Sequence, residues 1–424
     1  MTKKQSASSK QSANTKGPTS PLSLVVAGVV VVLALLVSRL TGVGVEEVLG
    51  LPTNTPAPAL TAAPTLTIAP TPVPVLPTEV AIGPGGLETI SFTQGYGARQ
   101  GFWQSYFTAP TGSRKPADYV GGVDTALAAA LSGVQRTLDI AAFEWNNPNI
   151  HAAVLDAQRR GVRVRFVTDN EHGLADEDSK VSELIAAGIP VVDDGRSALM
   201  HNKFMILDGA EVWTGSMNYT VNDAYRNNNN MLVLRARRAV DAYQAEFNEM
   251  FEARSFGPRS PRGNSASFTQ DGIPVEIYFA PEDDVLTQII NQIAGAQRSV
   301  RFMAFSFTVT QIADELQQHA EAGLSVRGIY ETVGSQTESS TLTQLFCAGV
   351  EVRQDGNPFV LHHKVFIIDD RTVITGSFNF SSNATRSNDE NLVIISGPNI
   401  AAQYTAEFER RWAEARVPTA LTCQ

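Results

Sequence analysis

After residue 85 the chain of 424 residues repeats itself. Gly188–Phe251 aligns with Gly349–Trp412 without a gap, so AYQAEFNEMF stands opposite QYTAEFERRW at a constant offset of 161 residues. Two earlier pairs of segments also match, LDIAAFEW with VRFMAFSF and GVRVRFV with GLSVRGIY. A long internal period of this kind indicates two copies of one folding unit. We therefore predict repeat 1 at residues 87–255 and repeat 2 at residues 256–424.

Secondary structure alternates within each copy. Short runs rich in β-branched residues are followed by amphipathic segments such as NIHAAVLDAQRRG and TQIADELQQHAEAG, each closed by glycine. Strands that alternate with helices are typical of α/β units whose sheet is largely parallel. We therefore predict an α/β fold with a largely parallel sheet in each copy.

The second half of each copy carries the same polar motif. A histidine and a lysine stand two residues apart, an aspartate follows the lysine by five residues, and a Gly-Ser-x-Asn segment comes after it. In repeat 1 the polar residues are His201, Lys203, Asp208, Ser216 and Asn218. In repeat 2 they are His362, Lys364, Asp369, Ser377 and Asn379. The signal is specific because all the fixed positions recur in register.

The spacing of the motif predicts which side chains share a face. Alternate residues of a strand point the same way, so each histidine faces the same side as its lysine. Asn202 and His363 point away, and His363 is predicted to be a packing or second-layer residue. The Asp208-Gly209 and Asp369-Asp370 pairs predict turns, after which EVWTGSMN and TVITGSFN return as strands. On each returning strand the serine and the asparagine again share a face.

Two such faces, apposed about a pseudo-twofold axis, would surround one tetrahedral anion with two histidines, two lysines and two asparagines. This set suits a phosphodiester, because ammonium and amide groups can neutralise phosphoryl oxygens as charge develops. One histidine can attack phosphorus while the other protonates the leaving oxygen and later activates water. The lysines supply the positive charge, so we expect no cofactor and no metal, and no metal-ligand spacing stands out in the chain.

The duplicated HxKxxxxD and GSxN segments resemble the signature of the phospholipase D superfamily, over residues 87 to 424. The resemblance implies two pseudo-symmetric α/β/α lobes with one active site at their interface. It also implies a phosphohistidine intermediate with His201 and His362 as the catalytic pair, and a mainly structural role for Asp208 and Asp369. The phosphate-binding residues would be Lys203, Lys364, Ser216, Asn218, Ser377 and Asn379.

Members of this family often carry a carboxylate or an amide eleven residues after the motif asparagine, where it bonds to an active-site imidazole. Here those positions hold Asn229 and Glu390. In similar two-lobed enzymes the acidic residue of the second lobe orients the histidine of the first. The resemblance therefore implies that Glu390 orients His201 and that His201 is the nucleophile. The alternative for Asn229 is that it merely belongs to an Asn-rich loop.

Other candidate residues have weaker patterns. His151 and His319 lie on helical segments and are predicted to be ordinary surface or boundary residues. His172 lies in a loop that could approach a substrate, because loops after strands in such sheets face the site. Four aromatic residues could line an acyl or head-group pocket, although core packing is their commoner fate. They are Phe102, Trp103, Tyr106 and Trp145.

The N-terminal part has a different composition. Residues 1–20 are polar and basic, and Leu22–Val37 is an uncharged apolar run that Arg39 follows. We predict a retained transmembrane signal anchor at residues 21–40, in preference to a cleaved signal peptide or a buried helix. The positive-inside rule then leaves the tail in the cytoplasm and everything after the anchor outside. Residues 41–86, rich in Pro and Thr, predict a disordered linker.

Charge and cysteine content limit the remaining functions. The net charge is -10, and residues 81–424 carry 28 basic and 40 acidic side chains, or -12, which disfavours a nucleic-acid binder. Cys347 and Cys423 could form one bridge if the protein is exported. The first interpretation is a membrane-anchored phospholipase D-type hydrolase, monomeric because one chain holds both lobes, with phospholipid and water as substrates. The alternatives are an exported nuclease, a cardiolipin synthase-like transferase and a silent binding module.

Overall fold

Each copy of the repeat folds into one mixed β-sheet with helices against it, in a computed structural model that describes residues 79–419 and 421–423. The predicted cytoplasmic tail and signal anchor, residues 1–40, lie outside the described residues, as does the predicted linker up to residue 78. A first strand already spans Glu79–Ile82, inside the range predicted to be linker. The described structure therefore begins before the predicted boundary at residue 87.

Lobe 1 has ten strands and five α-helices from residue 79 onward, where the described structure begins. Its strands are β1 Glu79–Ile82, β2 Glu88–Phe92, β3 Gly95–Gln100, β4 Trp103–Thr108, β5 Thr137–Ala142, β6 Arg163–Thr168, β7 Val191–Asp193, β8 Lys203–Leu207, β9 Glu211–Gly215 and β10 Asn230–Leu234. Its helices are α1 Val123–Gly133, α2 Pro148–Arg159, α3 Val181–Ala186, α4 Val221–Tyr225 and α5 Arg237–Phe251. The strand order in the sheet is β1-β2-β3-β4-β10-β9-β8-β5-β6-β7.

Lobe 2 has eight strands and five α-helices in the described part of the chain. Its strands are β11 Ala266–Gln270, β12 Ile273–Ala280, β13 Ser299–Ala304, β14 Ser325–Tyr330, β15 Glu351–Gln354, β16 Lys364–Ile368, β17 Thr372–Gly376 and β18 Glu390–Ser396. Its helices are α6 Val285–Ala294, α7 Thr310–Glu321, α8 Leu342–Cys347, α9 Ser382–Arg386 and α10 Pro398–Glu414. The order β11-β12-β18-β17-β16-β13-β14-β15 is that of β3 to β10 in lobe 1. The predicted duplication is thus a duplication of topology.

The prediction of largely parallel sheets was wrong. Seven of the nine neighbouring strand pairs of lobe 1 are antiparallel. In lobe 2 five of seven are antiparallel. Parallel pairing needs a crossover connection, which α2 and α3 supply between β5, β6 and β7, and α7 and α8 supply between β13, β14 and β15. Short turns such as the one between β8 and β9 make hairpins instead.

The buried apolar residues form three cores. One core lies within each lobe, and a third contains residues of both. This shared core includes Phe204 and Phe247 of lobe 1 together with Phe279 and Phe408 of lobe 2, all of them buried. Because apolar area removed from water is the main source of stability, the contact between the lobes is part of the fold itself.

The last helix of each lobe packs against the sheet of the other lobe. Tyr243 of α5 makes an edge contact with Phe279, with ring centroids 5.2 Å apart, and Tyr404 of α10 does the same with Phe107 at 4.9 Å. Tyr243 and Tyr404 are 161 residues apart, so this exchange follows the repeat. Such aromatic pairs add to the stability gained from burial alone.

Two further observations concern the disulfide bond and the lengths of the helices. Cys347, the last residue of α8, forms a disulfide bond with Cys423, the pairing that the sequence left open. A search of residues 79–419 and 421–423 finds no helix with the length and apolar character needed to cross a bilayer.

Candidate active site

The two motifs meet at the boundary between the lobes. His201 stands just before β8, and His362 holds the same place before β16. The backbone N–H of His201 donates to the carbonyl of Asp389 at 3.0 Å, and that of His362 donates to the carbonyl of Asn228 at 2.9 Å. Each histidine is therefore attached to the other lobe, at the residue that precedes Glu390 or Asn229.

His201 is paired with a carboxylate. Its Nδ1 lies 2.7 Å from Oε2 of Glu390, and the hydroxyl of Ser377 donates to the same oxygen at 2.6 Å. Burial lowers the pKa of His201 to about 4, against the opposing effect of the Glu390 charge. Burial alone would raise the pKa of Glu390, but the charges of His201 and Lys203 and the hydrogen bonds hold it below its usual value. An imidazole held this way carries its proton on Nδ1 and keeps the lone pair of Nε2.

His362 is paired with an amide. Its Nδ1 lies 3.0 Å from Oδ1 of Asn229, which also accepts a hydrogen bond from Ser216 at 2.9 Å. The amide nitrogen of Asn229 donates to Oδ1 of Asp223 at 2.8 Å, and that oxygen is 3.5 Å from Nδ1 of His362. Burial lowers the pKa of His362 well below its usual value, and the charges of the two motif lysines lower it further.

Asp223 is not among the residues that the sequence predicts. It is 2% exposed, and the residue 161 positions later is Ala384. The carboxylate that repeat 1 lacks at Asn229 is thus present six residues earlier, behind the amide. A comparison of the copies outside the motif, at positions 223 and 384, is the signal that could have found it.

The motif lysines are buried cations without a carboxylate partner in the described part of the chain. Nζ of Lys203 donates to the carbonyl of His201 at 2.7 Å, and Nζ of Lys364 donates to that of His362 at 2.8 Å. Burial lowers the pKa of Lys203 to about 8 and the pKa of Lys364 well below its usual value. Two desolvated ammonium groups favour the binding of an anion between them.

Two phenylalanines lie beside the ammonium groups of the motif lysines. Nζ of Lys203 lies 4.7 Å from the ring centroid of Phe143, and Nζ of Lys364 lies 4.8 Å from that of Phe305. The same rings make edge contacts with the two motif histidines, at 4.7 and 4.8 Å between centroids. Their positions coincide in the matching segments LDIAAFEW and VRFMAFSF, which is the sequence signal for them. Glu144 follows Phe143, and burial together with the charge of Asp223 raises its pKa to about 7.

The remaining polar motif residues divide into two pairs. Asn218 and Asn379 each have a buried amide oxygen without a hydrogen-bond partner among the described residues. Ser216 and Ser377 use their hydroxyls on Asn229 and Glu390, as described above. The structure therefore ties the serines to the orienting side chains, and their predicted contact with phosphate stays a prediction.

Asp208 and Asp369 lie at the opposite end of the motif strands. The carboxylate of Asp208 accepts three backbone N–H bonds, from Gln135, Arg136 and Thr137, at 2.6 to 3.0 Å. Asp369 accepts the equivalent three at 2.7 to 2.9 Å. Burial would raise the pKa of each aspartate, but these bonds hold it below its usual value. Both residues fasten the turn after the motif strand to the start of the neighbouring strand, which is β5 in lobe 1 and β13 in lobe 2. This agrees with the structural role that the family resemblance implies.

His363 is fully buried away from the active site, as predicted. Its Nδ1 is 3.0 Å from the amide nitrogen of Asn230, and its Nε2 is 3.1 Å from Oε1 of Glu407. Burial lowers the pKa of His363 well below its usual value. It joins the sheet of lobe 2 to Asn230 of lobe 1.

The other histidines differ from one another. His151 is 5% exposed and accepts a hydrogen bond from the indole of Trp145 at 3.1 Å, so the prediction of a surface or boundary residue was wrong. The reason is that the helix face bearing His151 packs on the sheet. His319 is half-buried at a boundary, as predicted. His172 is exposed, and its ring centroid is 4.8 Å from that of Phe143, beside the site.

The four aromatic residues considered for a pocket lie in the cores. None is more than 6% exposed, and they divide between the shared core and the core of lobe 1. Core packing is therefore the outcome for Phe102, Trp103, Tyr106 and Trp145.

Comparisons with known proteins agree with this geometry. The sequence pattern of a family described as "Cardiolipin synthase, PLD-like domain" matches residues 127–251 and 289–412, more than half of the chain. A mitochondrial cardiolipin hydrolase of Xenopus laevis is 40% identical over 126 residues, which are 30% of this chain and 60% of that relative. A phospholipase D of Rickettsia prowazekii (strain Madrid E) is 30% identical over 166 residues, 39% of this chain and 81% of that relative.

The fold also has a solved counterpart. The crystal structure of the phosphatidylserine synthase of Haemophilus influenzae Rd KW20 has a TM-score of 0.56 and 16% identity, covering 71% of this chain and 87% of that one. That likeness concerns the fold alone. The two segments matched by the family contain both motifs, and together with the duplicated two-lobed fold they show that this chain belongs to the phospholipase D superfamily.

Proposed function

We propose that the protein is a membrane-anchored, extracytoplasmic phosphodiesterase that hydrolyses the head-group bond of phospholipids to phosphatidic acid and a free alcohol. The observation that carries the proposal is the unequal support of the two histidines, a carboxylate on His201 and an amide on His362. A carboxylate on Nδ1 stabilises the positive charge that an imidazole gains when its other nitrogen forms a bond. This favours His201 as the nucleophile and His362 as the general acid.

In the first step Nε2 of His201 attacks phosphorus and the bond from phosphorus to the head-group oxygen breaks. The leaving oxygen takes a proton from His362. Lys203 and Lys364 stabilise the phosphoryl oxygens, as do the amides of Asn218 and Asn379. His201 is then a phosphohistidine whose charge is balanced by Glu390.

In the second step His362 accepts a proton from water, and the water oxygen attacks phosphorus. The phosphorus–nitrogen bond breaks, and its electron pair returns to His201. The products are phosphatidic acid and the enzyme with His362 protonated, and His362 gives up that proton when the anionic product leaves the site.

His362 is expected to take up its proton when the substrate binds. In the free enzyme, burial and the charges of Lys203 and Lys364 keep His362 neutral by lowering its pKa. A phosphodiester anion bound between the lysines cancels those charges, so the pKa of His362 rises when the site is filled. The acid is thus formed where it is needed.

Asp223 supports His362 through Asn229 in this scheme. The amide of Asn229 accepts from His362 and donates to Asp223, so the carboxylate stabilises a charged imidazole at one remove. Such support is weaker than direct contact, which leaves His362 a better proton donor than His201 would be. We assign Asp223 as a positioning residue for the general acid.

Two loops beside the motifs favour a lipid substrate. Leu174, in the loop after β6, is 36% exposed, and Val333, in the equivalent loop after β14, is 81% exposed. Large exposed apolar side chains in the loops that follow these two strands suit insertion into the apolar part of a lipid surface.

The same loops are fixed next to the catalytic strands. A carboxylate oxygen of Asp169 accepts from the backbone N–H of the residue before His201 at 3.1 Å. A carboxylate oxygen of Glu331 accepts from the N–H of the residue before His362 at 2.6 Å. The apolar residues thus belong to loops that flank the site from both lobes. The net charge of -10 weighs against a polyphosphate backbone as substrate.

Anchoring and export rest on the sequence. The apolar run and its flanking lysines support a signal anchor with the catalytic unit outside the cytoplasm. The Cys347–Cys423 disulfide supports the same location, because disulfides persist in oxidising compartments.

Transfer of the phosphatidyl group to a second alcohol is the alternative, favoured by the description of the matching family as cardiolipin synthase. It differs from hydrolysis only in the acceptor of the second step. Vesicle assays with and without glycerol distinguish the two by their products, and single-stranded DNA in parallel tests for nuclease activity. Release of head group and phosphatidic acid from vesicles, without cleavage of DNA, is the expected result. Cleavage of DNA alone would overturn the lipid assignment.

The assignment of the histidines is tested with a nitrophenyl phosphodiester, whose phenolate leaves without a proton. His362→Ala should still form the phosphohistidine and release a burst of about one equivalent of nitrophenol before it nearly stops. His201→Ala should give no burst, because no covalent intermediate can form. A burst in His201→Ala with none in His362→Ala would reverse the roles.

A further inference from the structure

Three buried glutamates, all from the part of the chain between the two motifs, come together. Glu246 and Glu249 lie on α5 of lobe 1, and Glu282 follows β12 of lobe 2. One carboxylate oxygen from each lies within 4.8 Å of the others, and the three residues are 2%, 8% and 5% exposed. The cluster therefore brings acidic side chains of both lobes into contact at a buried position.

The internal partners of these glutamates are too few for three negative charges. The amide nitrogen of Asn264 donates to Glu246 at 3.0 Å and to Glu249 at 2.8 Å. Neither carboxylate oxygen of Glu282 has a hydrogen-bond partner in another of the described residues. A buried carboxylate without a partner is costly, so its charge must be neutralised by something.

Repeat 2 shows how the same position is neutralised by protein groups. Glu407, the counterpart of Glu246, is also fully buried. Nε2 of His363 lies 3.1 Å from its Oε1, and Nε of Arg411 lies 3.3 Å from the same oxygen. A guanidinium nitrogen of Arg410 is 4.0 Å from Oε2. Lobe 2 therefore surrounds its buried glutamate with two arginines and a histidine.

Repeat 1 has lost every one of these partners. At an offset of 161, Arg411 corresponds to Met250, Arg410 to Glu249 and His363 to Asn202. One of the replacements is itself acidic, and Glu282 adds a further carboxylate. The buried glutamate is kept, its two arginines are absent, and the carboxylates of Glu249 and Glu282 lie beside it, which is the change expected if a cation from solution takes the place of the arginines.

Three carboxylates offer up to six oxygen atoms, in the range that Ca²⁺ uses, and among the described residues no histidine or cysteine joins the cluster to favour a softer metal. Of the acids nearby, Asp389 is already paired with Arg196.

We propose that Glu246, Glu249 and Glu282 bind one hard divalent cation of the Ca²⁺ class, which fastens α5 of lobe 1 to the segment after β12 of lobe 2. The ion is structural, since none of its ligands belongs to the histidine and lysine motifs. It takes no part in the phosphoryl transfer proposed above.

The test uses the full chain in detergent, stripped with EDTA and dialysed, with titration calorimetry and thermal unfolding as readouts. Wild type should bind about one equivalent of Ca²⁺, and its Tm should rise with Ca²⁺ and fall in EDTA. Glu282→Gln should weaken Ca²⁺ binding at least tenfold, whereas Glu351→Gln, which changes an exposed acid on β15, should leave it unchanged.

A second variant keeps the proposal falsifiable if Glu282→Gln unfolds. Glu249→Arg/Met250→Arg transfers the arginines of lobe 2 to lobe 1, and it should fold with a Tm that neither Ca²⁺ nor EDTA changes. The proposal is overturned if wild type binds neither Ca²⁺ nor Mg²⁺ and its Tm is the same in EDTA, since protons alone then neutralise the cluster. Ca²⁺ binding that survives in the double arginine variant would overturn it as well.

Discussion

His201 and His362 stand at equivalent points of the repeat, and what separates their chemistry is the set of side chains behind each ring. Glu390 contacts His201 directly, while His362 contacts Asn229, with Asp223 behind it. The difference between nucleophile and acid is therefore assigned to partners that do not touch the substrate.

Exchange of these partners tests the role of Asp223. Asp223→Ala removes a hydrogen-bonded buried charge, worth about 1.5 to 3 kcal/mol, so kcat is expected to fall by about tenfold to a hundredfold. Asp223→Ala/Asn229→Glu rebuilds in lobe 1 the arrangement of lobe 2, where Ala384 accompanies Glu390. The double variant should recover kcat for phospholipid hydrolysis, where the leaving oxygen needs the proton of His362, measured by release of the head group.

The alkaline limb of its pH profile provides the control. A carboxylate directly on His362 raises the pKa of that imidazole, so kcat in the double variant should persist to higher pH than in wild type. If Asp223→Ala alone has wild-type kcat and an unchanged profile, Asp223 has no positioning role.

The titration of the motif groups predicts the pH dependence of kcat/KM. His201 must be neutral to attack, and its pKa of about 4 means that activity is lost as the pH falls through that value. Lys203 must be charged to bind the anion, and its pKa of about 8 means that activity is lost as the pH rises through that value. Initial rates on a soluble phosphodiester measure both limbs. A rate that stays flat to pH 10 would contradict the role of the lysine.

The motif residues could be located from sequence because their spacing alone fixes which side chains share a face. Glu390 needed the family resemblance, since eleven residues separate it from Asn379 and only the fold brings it to His201. Asp223 and the paired phenylalanines were not predicted. They contact the site through tertiary packing, and the motif carries no information about those contacts.

At the scale of elements, the loops after β6 and β14 are where substrate preference is expected to reside. Leu174→Ser/Val333→Ser should raise KM for phospholipid vesicles by about a hundredfold, because each of the two apolar side chains buried in lipid contributes about 1.5 kcal/mol or more. The rate on a soluble nitrophenyl phosphodiester should not change. Ile185→Ser, on the exposed side of α3, is the matched control and should affect neither substrate. Equal losses on both substrates would mean that the loops shape the site itself.

The strands illustrate a limit of sequence patterns. Apolar runs that alternate with helices located β5, β6, β13 and β14 and their helices, but a strand pattern does not tell which neighbour it will pair with. Pairing direction depends on the connection, and β8 returns to β9 through a turn rather than a helix. The sheets are therefore mixed, with antiparallel pairs in the majority, although the element types were predicted.

At the scale of the whole molecule, the orientation across the membrane remains a prediction from sequence. If the anchor at residues 21–40 leaves the catalytic unit outside, protease added to intact cells should cut the Pro/Thr-rich linker. The released fragment, detected by immunoblot, should have the size of residues 79–424 and retain phosphodiesterase activity. Protection of the protein until the cells are lysed would reverse the orientation.

The covalent connection of the two lobes has a consequence for how the site can change over generations. In a symmetric pair of identical chains, every substitution appears twice, so both histidines would always receive the same partner. Here one mutation reaches one half-site only, and Asn229 can differ from Glu390 while the rest of the motif is kept. The gene duplication thus released each imidazole to be tuned separately, a freedom that two copies of one shorter chain would not have.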